Sequence, residues 1–450
     1  MNDSDEIDAD HVVTAFLRRR GEVLLLCRSD AVGTYQGVWG GVSGFAEDDP
    51  DEQVQVEIRE ETGLAAEDVS LVRSGRPVEF TDEDVEREWV VHPYLFDCDA
   101  ELEIELSDEH DEYAWFPPTT LFESVGEDLE TVPKLWTAYE RVAPTVRSIA
   151  ADGEHGAAAL SIRALEVLRD RAGLLVAERE EFGEDPEGER DELAELAGRL
   201  LEARPSMAVL RNRVNRAMAE ADPSEGAPGV LETTLEGIDR ALAADEEAAA
   251  TAGEIVDGTV LTLSRSGTVA EALRQGDPSR VFVGESRPAR EGIDVAEELA
   301  DDLDCPVTVH TDAAMAHVLE REDVDRVLVG ADTVRADGAV VNKTGTRTAA
   351  LAASHEDVPV TVVAAIDKVS TREELNLESG DRTAVYDGDS ALDVLNPTFD
   401  VTPADCIDEI ATERGLLEAG AIGDVVEELR ELESWRNGST EAIDGNPSRE

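Results

Sequence analysis

Residues 56–64 read VEIREETGL, and the spacing of the acids in that stretch decides what the first third of the chain is. Glu57 and Glu61 are four residues apart and Glu60 is three from Glu57, so on an α-helix all three project toward one side. Left alone they repel. A divalent cation such as Mg2+, which takes oxygen ligands and keeps several waters, relieves the repulsion, and its open positions bind phosphate oxygens. The stretch is therefore a candidate site for cleaving a diphosphate bond, with Glu57, Glu60 and Glu61 as metal ligands and catalytic groups and Mg2+ or Mn2+ as the cofactor.

Composition weighs against any acidic motif here. The chain has 104 Asp and Glu among 450 residues, so three acids at fixed positions arise by chance in about 1% of windows. Context restores the signal: Gly63 and Leu64 end the helical stretch, and the loop WGGVSGFAED at 39–48 has glycines that let backbone turn close to a ligand. On either side lie short apolar runs of β type, HVVTAFLRR, GEVLLLCR and EREWVVHPYLFDC, which make residues 1–146 a mixed α and β domain.

From 147 to 252 the pattern changes to Ala, Leu and Glu at helical spacing, as in AAALSIRALEVLRDRA and DELAELAGRLLEA, and reads as a helical subdomain. From 253 to 436 apolar strands alternate with amphipathic helices, GTVLTLS, TVAEALRQ, RVFVGE, IDVAEELADDL and onward, the signature of βαβ units in a doubly wound parallel sheet. Residues 437–450 have no apolar periodicity and are expected to be a disordered tail.

The 39 basic residues leave a formal charge of −65, and Lys134, Lys343 and Lys368 are the only lysines. Such a surface repels nucleic-acid phosphates and anionic membranes, so neither is expected as a partner. Self-repulsion this strong calls for screening, and in molar salt the Debye length falls to about 3 Å, which points to a salt-rich cytoplasm. Cys27, Cys98, Cys305 and Cys406 have neither metal-ligand nor disulfide-framework spacing. No secretory or membrane-spanning pattern is seen, so the expected location is cytoplasmic.

A second constellation lies in the last part. In LTLSRSGTVAEAL a strand ends in a loop that opens a helix, where backbone N–H groups and the hydroxyls of Ser264, Ser266 and Thr268 can receive a phosphate; a polar N-cap loop explains them as well. VGESRPAREG, VGADTVRADG and VVNKTGTRTAAL follow, with Arg287, Arg290 and Lys343 concentrating positive charge at strand C-termini, which share one edge of such a sheet.

The first constellation resembles the Nudix family, whose signature is a Gly and a Glu followed by REUxEExGU, U being aliphatic. Glu57 to Leu64 match it throughout. Gly41 and Glu47 have the upstream Gly-to-Glu spacing, but the next gap is one residue too long unless Asp48 substitutes, and the arginine position is Val56. GTYQGVWGGVSGF, WVVHPYLF, EYAWFPP and TVPKLW occur in the order that a branch of the family shows. The resemblance implies an α/β/α sandwich with a mixed sheet, substrate contacts at Gly41 and Glu47, and hydrolysis of a nucleoside diphosphate-linked or related compound. With valine in place of the arginine that orients the glutamates, it implies a metal site more firmly than a fast enzyme.

Residues 148–436 resemble the family that joins regulatory subunits of translation initiation factor 2B to methylthioribose-1-phosphate isomerase and ribose-1,5-bisphosphate isomerase. ESRP, GAD and NKTGT carry the likeness, with ARPSMAVLRN and its Arg204, Pro205 and Asn212. It implies a Rossmann-like domain, homodimerisation, and a phosphorylated small molecule bound by Arg204, Ser264, Ser266, Gly267, Thr268, Arg287, Asn342 and Lys343. Asp332 stands at the catalytic Asp position, but the catalytic Cys is Ser264, its neighbouring His is Leu263, and a phosphate-binding Arg-Gly is His155-Gly156. A hydroxyl is a far weaker acid than a thiol of pKa about 8.5. The expected role is regulatory binding, with an aldose–ketose isomerase, or a protein without catalysis in either part, as the alternatives.

Overall fold

The structure is a computed structural model and describes residues 9–46, 49–98, 102–122, 129–153, 155–374, 377 and 379–436. Glu47, Asp48 and the expected tail at 437–450 lie outside them. The described residues fall into two compact units. One is drawn from Met1–Asp152, Ile162–Leu196 and Ala221–Ile238, the other from Gly153–Ser161, Ala197–Glu220 and Asp239–Glu450.

In the first unit, strands β1 (Asp10–Arg19), β2 (Glu22–Arg28), β3 (Trp39–Gly40) and β4 (Val42–Phe45) precede helix α1 (Pro50–Thr62). Then come β5 (Val69–Ser74), β6 (Val78–Asp82), β7 (Arg87–Cys98), β8 (His110–Phe116) and the short helices α2 (Leu135–Glu140) and α3 (Val146–Ala151). The main path of the mixed sheet is β3-β2-β1-β7-β5, with β1 and β7 parallel and β4, β6 and β8 paired to β1, β7 and β2. Strand alternation gives this sheet two apolar faces. Val13, Ala15, Leu17, Leu24 and Leu26 pack with Val54 and Ile58 of α1, while Phe16, Val23 and Leu25 pack with Leu135, Ala138 and Tyr139 of α2. The β1–β2 hairpin turns on Arg20 and Gly21, both at positive φ (52° and 83°), the pairing that two-residue turns of matching twist require.

Helix α1 starts and stops where its sequence directs. The Asp49 side chain accepts from the Asp51 N–H, Pro50 occupies the first turn, and Gly63 takes the left-handed conformation (φ 76°) that ends the helix.

The first unit also takes in residues of helices α4 (Ala157–Phe182), α5 (Pro186–Ala203) and α7 (Ala227–Gly253). A buried ion network ties α4 to the sheet. Arg18, 5% exposed, bonds Asp97 at 2.7 Å and Glu166 at 3.0 Å, and Arg163 reaches the other oxygen of Asp97 at 2.6 Å. Arg169 donates to the carbonyl of Gly21 and pairs with Asp170, which accepts at 3.0 Å from the Tyr139 hydroxyl. Burial by itself would lower the Arg18 guanidinium, but Glu166 and Asp97 outweigh it and its pKa is raised.

The second unit contains α6 (Ala208–Glu220) and then β9 (Asp257–Leu263), α8 (Gly267–Gln275), β10 (Asp277–Gly284), α9 (Glu291–Asp302), β11 (Val307–His310), α10 (Met315–Arg321) and β12 (Arg326–Gly330). It continues with β13 (Thr333–Val334), β14 (Val340–Lys343), α11 (Thr346–His355), β15 (Val360–Val363), β16 (Phe399–Thr402), β17 (Glu409–Thr412), β18 (Gly415–Leu417) and α12 (Ile422–Glu431). The sheet order is β11-β10-β9-β12-β15-β17-β18, parallel except for β18. Val360 to Val363 are buried along the whole of β15, as expected of a strand covered on both faces. Residues of α10, α11 and α12 fill one face and residues of α7, α8 and α9 the other, so the sheet is doubly wound. The strands β13, β14 and β16 form a separate small sheet. Asn212 of α6 donates to the carbonyls of Asp367 and Val369, so its part is structural. No helix among the described residues is long and apolar enough to cross a membrane.

Replacing Arg18 with Ala would leave Asp97 and Glu166 without a shared cation, a loss that costs about 3–5 kcal/mol when one partner of a buried pair is removed. Urea unfolding at a fixed, high KCl concentration should register it. A loss under about 1 kcal/mol would mean that the network does not hold α4 to the sheet.

Candidate functional site

Helix α1 presents its three acids in three different settings. Glu61 is 3% exposed, Glu57 is half-buried and Glu60 is exposed, yet all three line a single cavity of about 540 Å3. Helical geometry sets this gradient, since Val54 and Ile58 anchor the same helix in the core and draw Glu61 in with them.

Each carboxylate is held differently. Glu61 accepts the Ser43 N–H on Oε2 at 3.0 Å, and its buried Oε1 has no hydrogen-bond partner among the described residues. The nearest cationic candidate, His110 Nε2, is 3.9 Å from that oxygen. Burial pushes the Glu61 carboxyl up to about 8, with the Glu57 charge adding and the Ser43 N–H and Arg28 opposing. Burial likewise lowers His110 to about 4, helped by Arg28, so it is a neutral imidazole at ordinary pH. Glu57 is raised, chiefly by burial, and accepts from Gln53 Nε2 at 2.7 Å.

Gln53 therefore does for Glu57 the orienting work expected of the residue at position 56. Val56 itself is 44% exposed. The strand beside the helix makes room for the carboxylate: a Cβ on Gly44 would lie 2.0 Å from Glu57 Oε1. Among the described residues no three His, Cys, Asp or Glu side chains have already converged as a set of ligands. A crowded carboxylate group with one buried, unpartnered oxygen is nevertheless an all-oxygen donor set, and it fits Mg2+ or Mn2+.

Gly41 does not line the cavity; it lies against β1, where a Cβ would meet the Ala15 carbonyl at 2.8 Å. Several lining residues were not among the candidate site residues of the sequence: Arg28, Tyr35, Phe80, Trp89 and Lys134 come from five separate segments. Arg87 stacks over Trp89 at 5.5 Å and pairs with Asp10 at 3.1 Å.

The second constellation gathers at the C-terminal ends of β9 and β10. Ser264, at φ 65°, donates its N–H to Ser286 Oγ (2.7 Å) and its hydroxyl to Glu291 (3.0 Å). Lys343 donates to the other oxygen of Glu291 at 3.0 Å. Asp312 accepts the backbone N–H groups of Ser286 and Arg287, whose side chain is exposed. Ser266 caps α8, with exposed Gly267 and half-buried Thr268 beside it. Asp332 follows β12, the neighbour of β9, and gives its N–H to Val341. Asn342 is engaged with Thr346 at 2.9 Å, and Arg204 is half-buried ahead of α6. Ser264 and Lys343 are thus brought together, through a carboxylate, Glu291, that sequence reasoning had not singled out.

Two family descriptions match the chain: NUDIX domain over residues 9–136 and Initiation factor 2 subunit family over residues 153–419. The chain is 34% identical over 313 residues to the ribose 1,5-bisphosphate isomerase of Haloferax volcanii, an alignment covering 64% of this chain and 94% of that protein. It is 33% identical over 323 residues to the methylthioribose-1-phosphate isomerase of Pseudomonas putida, covering 63% and 86%. Among solved structures, translation initiation factor eIF-2B of Pyrococcus horikoshii superposes with a TM-score of 0.50 at 27% identity, covering 61% of this chain and 95% of that one.

The close approach of Gly44 to Glu57 gives a direct test of the metal assignment. Gly44→Ala should fold with an unchanged far-ultraviolet spectrum but bind Mn2+ about tenfold or more weakly, as when a ligand's support is disturbed. Electron paramagnetic resonance titration reads this, and undiminished Mn2+ affinity would remove Glu57 from the ligand set.

Proposed function

The chain belongs to the Initiation factor 2 subunit family and carries a NUDIX domain ahead of it, and we propose that the NUDIX domain hydrolyses a diphosphate compound to a phosphate monoester of the class that the C-terminal domain binds. The observation that carries this reading is the buried, unpartnered Oε1 of Glu61, in a cavity shared with Glu57 and Glu60. Those three residues would hold Mg2+ or Mn2+, which would supply charge for the diphosphate oxygens and lower the pKa of a water. Gln53 fixes the Glu57 carboxylate and the Ser43 N–H fixes one oxygen of Glu61, leaving the other open. The rings of Tyr35, Phe45, Phe80 and Trp89 line the remainder of the cavity. Water's oxygen bonds to one phosphorus, the bridging P–O bond breaks, and the water's protons pass to solvent and the leaving phosphate; a terminal diphosphate gives orthophosphate and a monoester, a nucleoside diphosphate-linked compound two monoesters.

Cleaving the outer phosphate from a sugar 1-diphosphate leaves a sugar 1-phosphate. A pentose carrying a further 5-phosphate would yield a pentose 1,5-bisphosphate, the compound in the name of the Haloferax volcanii relative. Nucleoside diphosphate-linked compounds are the other substrate group for the same site. In the C-terminal domain, Ser264 in place of a thiol favours binding of the phosphorylated product as a regulatory ligand. The homology to isomerases over nearly their whole length favours a second reading, aldose–ketose isomerisation with Asp332 taking part. A salt-rich cytoplasm as the working environment is supported by the charge of −65. Homodimerisation through the C-terminal domain remains part of the proposal on family grounds.

Full-length protein in molar KCl with Mg2+ should cleave the diphosphate of at least one member of a panel of nucleoside diphosphate compounds, sugar nucleotides and 5-phosphopentose 1-diphosphate, read as orthophosphate or as the two monoesters formed. Glu60→Gln and Glu61→Gln should each lower the rate by about a hundredfold or more, whereas rates equal to wild type would sink the hydrolase assignment. Ketose formation from an aldose 1-phosphate that disappears in Asp332→Asn would establish the isomerase reading; a yield indifferent to that change would remove Asp332 from it.

A further inference from the structure

Three lysines occur in this chain of 450 residues. One of them, Lys134, lines the cavity that holds Glu57, Glu60 and Glu61. In a chain with 104 acids an exposed ammonium would ordinarily meet a carboxylate, yet Lys134 has no ion pair or side-chain hydrogen bond among the described residues. The other cations of the same wall each have at least one hydrogen-bond or ion-pair partner. Arg28 gives its Nε to the Thr34 carbonyl, and Arg87 is paired with Asp10 and stacked on Trp89.

Backbone geometry adds a second observation. Lys134 adopts φ 63° and ψ 17°, a left-handed conformation that costs a side-chain-bearing residue about 1–2 kcal/mol. The turn is held on both sides: the Val132 N–H donates to the Trp39 carbonyl at 2.8 Å, the Ala138 N–H to Lys134's own carbonyl at 2.9 Å, and Leu135 and Tyr139 are buried. Tyr139 is anchored in turn by its hydroxyl on Asp170. Lys134 is thus a strained, braced residue of the cavity lining whose ammonium is not committed to a carboxylate.

We infer that Lys134 is a specificity-determining residue that binds a phosphate on the substrate's organic moiety, apart from the diphosphate at the carboxylates. This rests on the hydrolase reading and narrows it to diphosphate compounds that carry a further phosphate. The cavity volume suits such a ligand, since about 540 Å3 lies within the range of pockets for small organic molecules, and a diphosphate alone would leave much of it empty. Anion capture by Lys134 also offsets the repulsion that any polyphosphate meets on a surface of this charge.

The test uses the full chain in molar KCl, with ribose 5-phosphate as the probe and ribose as its uncharged control. Calorimetric titration in the presence of Mn2+ should show ribose 5-phosphate binding that weakens at least tenfold in Lys134→Gln and is restored to within about threefold by Lys134→Arg. Ribose should bind far more weakly and be indifferent to both changes. Mn2+ affinity, read separately by electron paramagnetic resonance, should stay within twofold in Lys134→Gln and collapse in Glu61→Gln, which separates the two sites. In turnover, Lys134→Gln should raise KM for 5-phosphopentose 1-diphosphate at least tenfold with kcat changed much less. Equal binding of ribose 5-phosphate by wild type and Lys134→Gln would overturn the inference, even if hydrolysis itself is confirmed. Failure of hydrolysis with the binding difference intact would instead overturn the enzyme reading and leave an anion site.

Discussion

Two guanidinium groups in the interior of the N-terminal unit, those of Arg18 and Arg169, set conditions that much of the rest must meet. Neither could be buried at 5% and 1% exposure unless carboxylates and a carbonyl came with it. Asp97 is supplied by β7, Glu166 and Asp170 by α4, and the carbonyl by Gly21 at the tip of the β1–β2 hairpin. The sheet and α4 are thereby committed to one register. A network of this kind contributes less through net energy than through the penalty for any arrangement that leaves a member unpaired. Because Asp170 also takes the hydroxyl of Tyr139, the commitment extends to α2, whose Leu135 and Ala138 form part of the cavity wall.

What could be read in the sequence was local. The limits of α1 follow from Asp49, Pro50 and Gly63, and its buried stripe from Val54 and Ile58, because capping and helical period act within a few residues. The alternation of strand and helix after residue 253 gave the parallel sheet for the same reason, and the two family matches bear out both resemblances. The partners that define the site act over longer separations. Gly44 makes room for Glu57, Ser43 bonds Glu61 across eighteen positions, and Lys134 arrives from the far end of the domain. Gln53 is the exception. It stands one helical turn from Glu57, so helical spacing alone puts its amide within reach of that carboxylate.

Composition worked in both directions. The abundance of acids made the glutamate cluster easy to over-read, while the scarcity of lysine made each remaining ammonium informative. The same contrast separates the two candidate sites. Lys134 is unpaired, whereas Lys343 is held by Glu291, which also takes the Ser264 hydroxyl. A phosphate entering the C-terminal cluster must compete with a resident carboxylate for that lysine. Ser264, with its proton directed to Glu291, is arranged as one link in a hydrogen-bonded bridge, which suits a binding site better than proton transfer between two carbons.

The placement of the three lysines has a chemical consequence of its own. Lys368 is 8% exposed, so the amines open to solvent on the described side chains are those of Lys134 and Lys343. Apart from the terminal α-amine, a protein with so few amines presents a surface nearly inert to acylation and to condensation with open-chain aldehydes, and the lysine reactivity it retains is concentrated at the cavity and the cluster where anions are expected to bind. Once the terminal α-amine is accounted for, an amine-directed label would thus serve as a reporter of site occupancy, a property that follows from the scarcity of lysine.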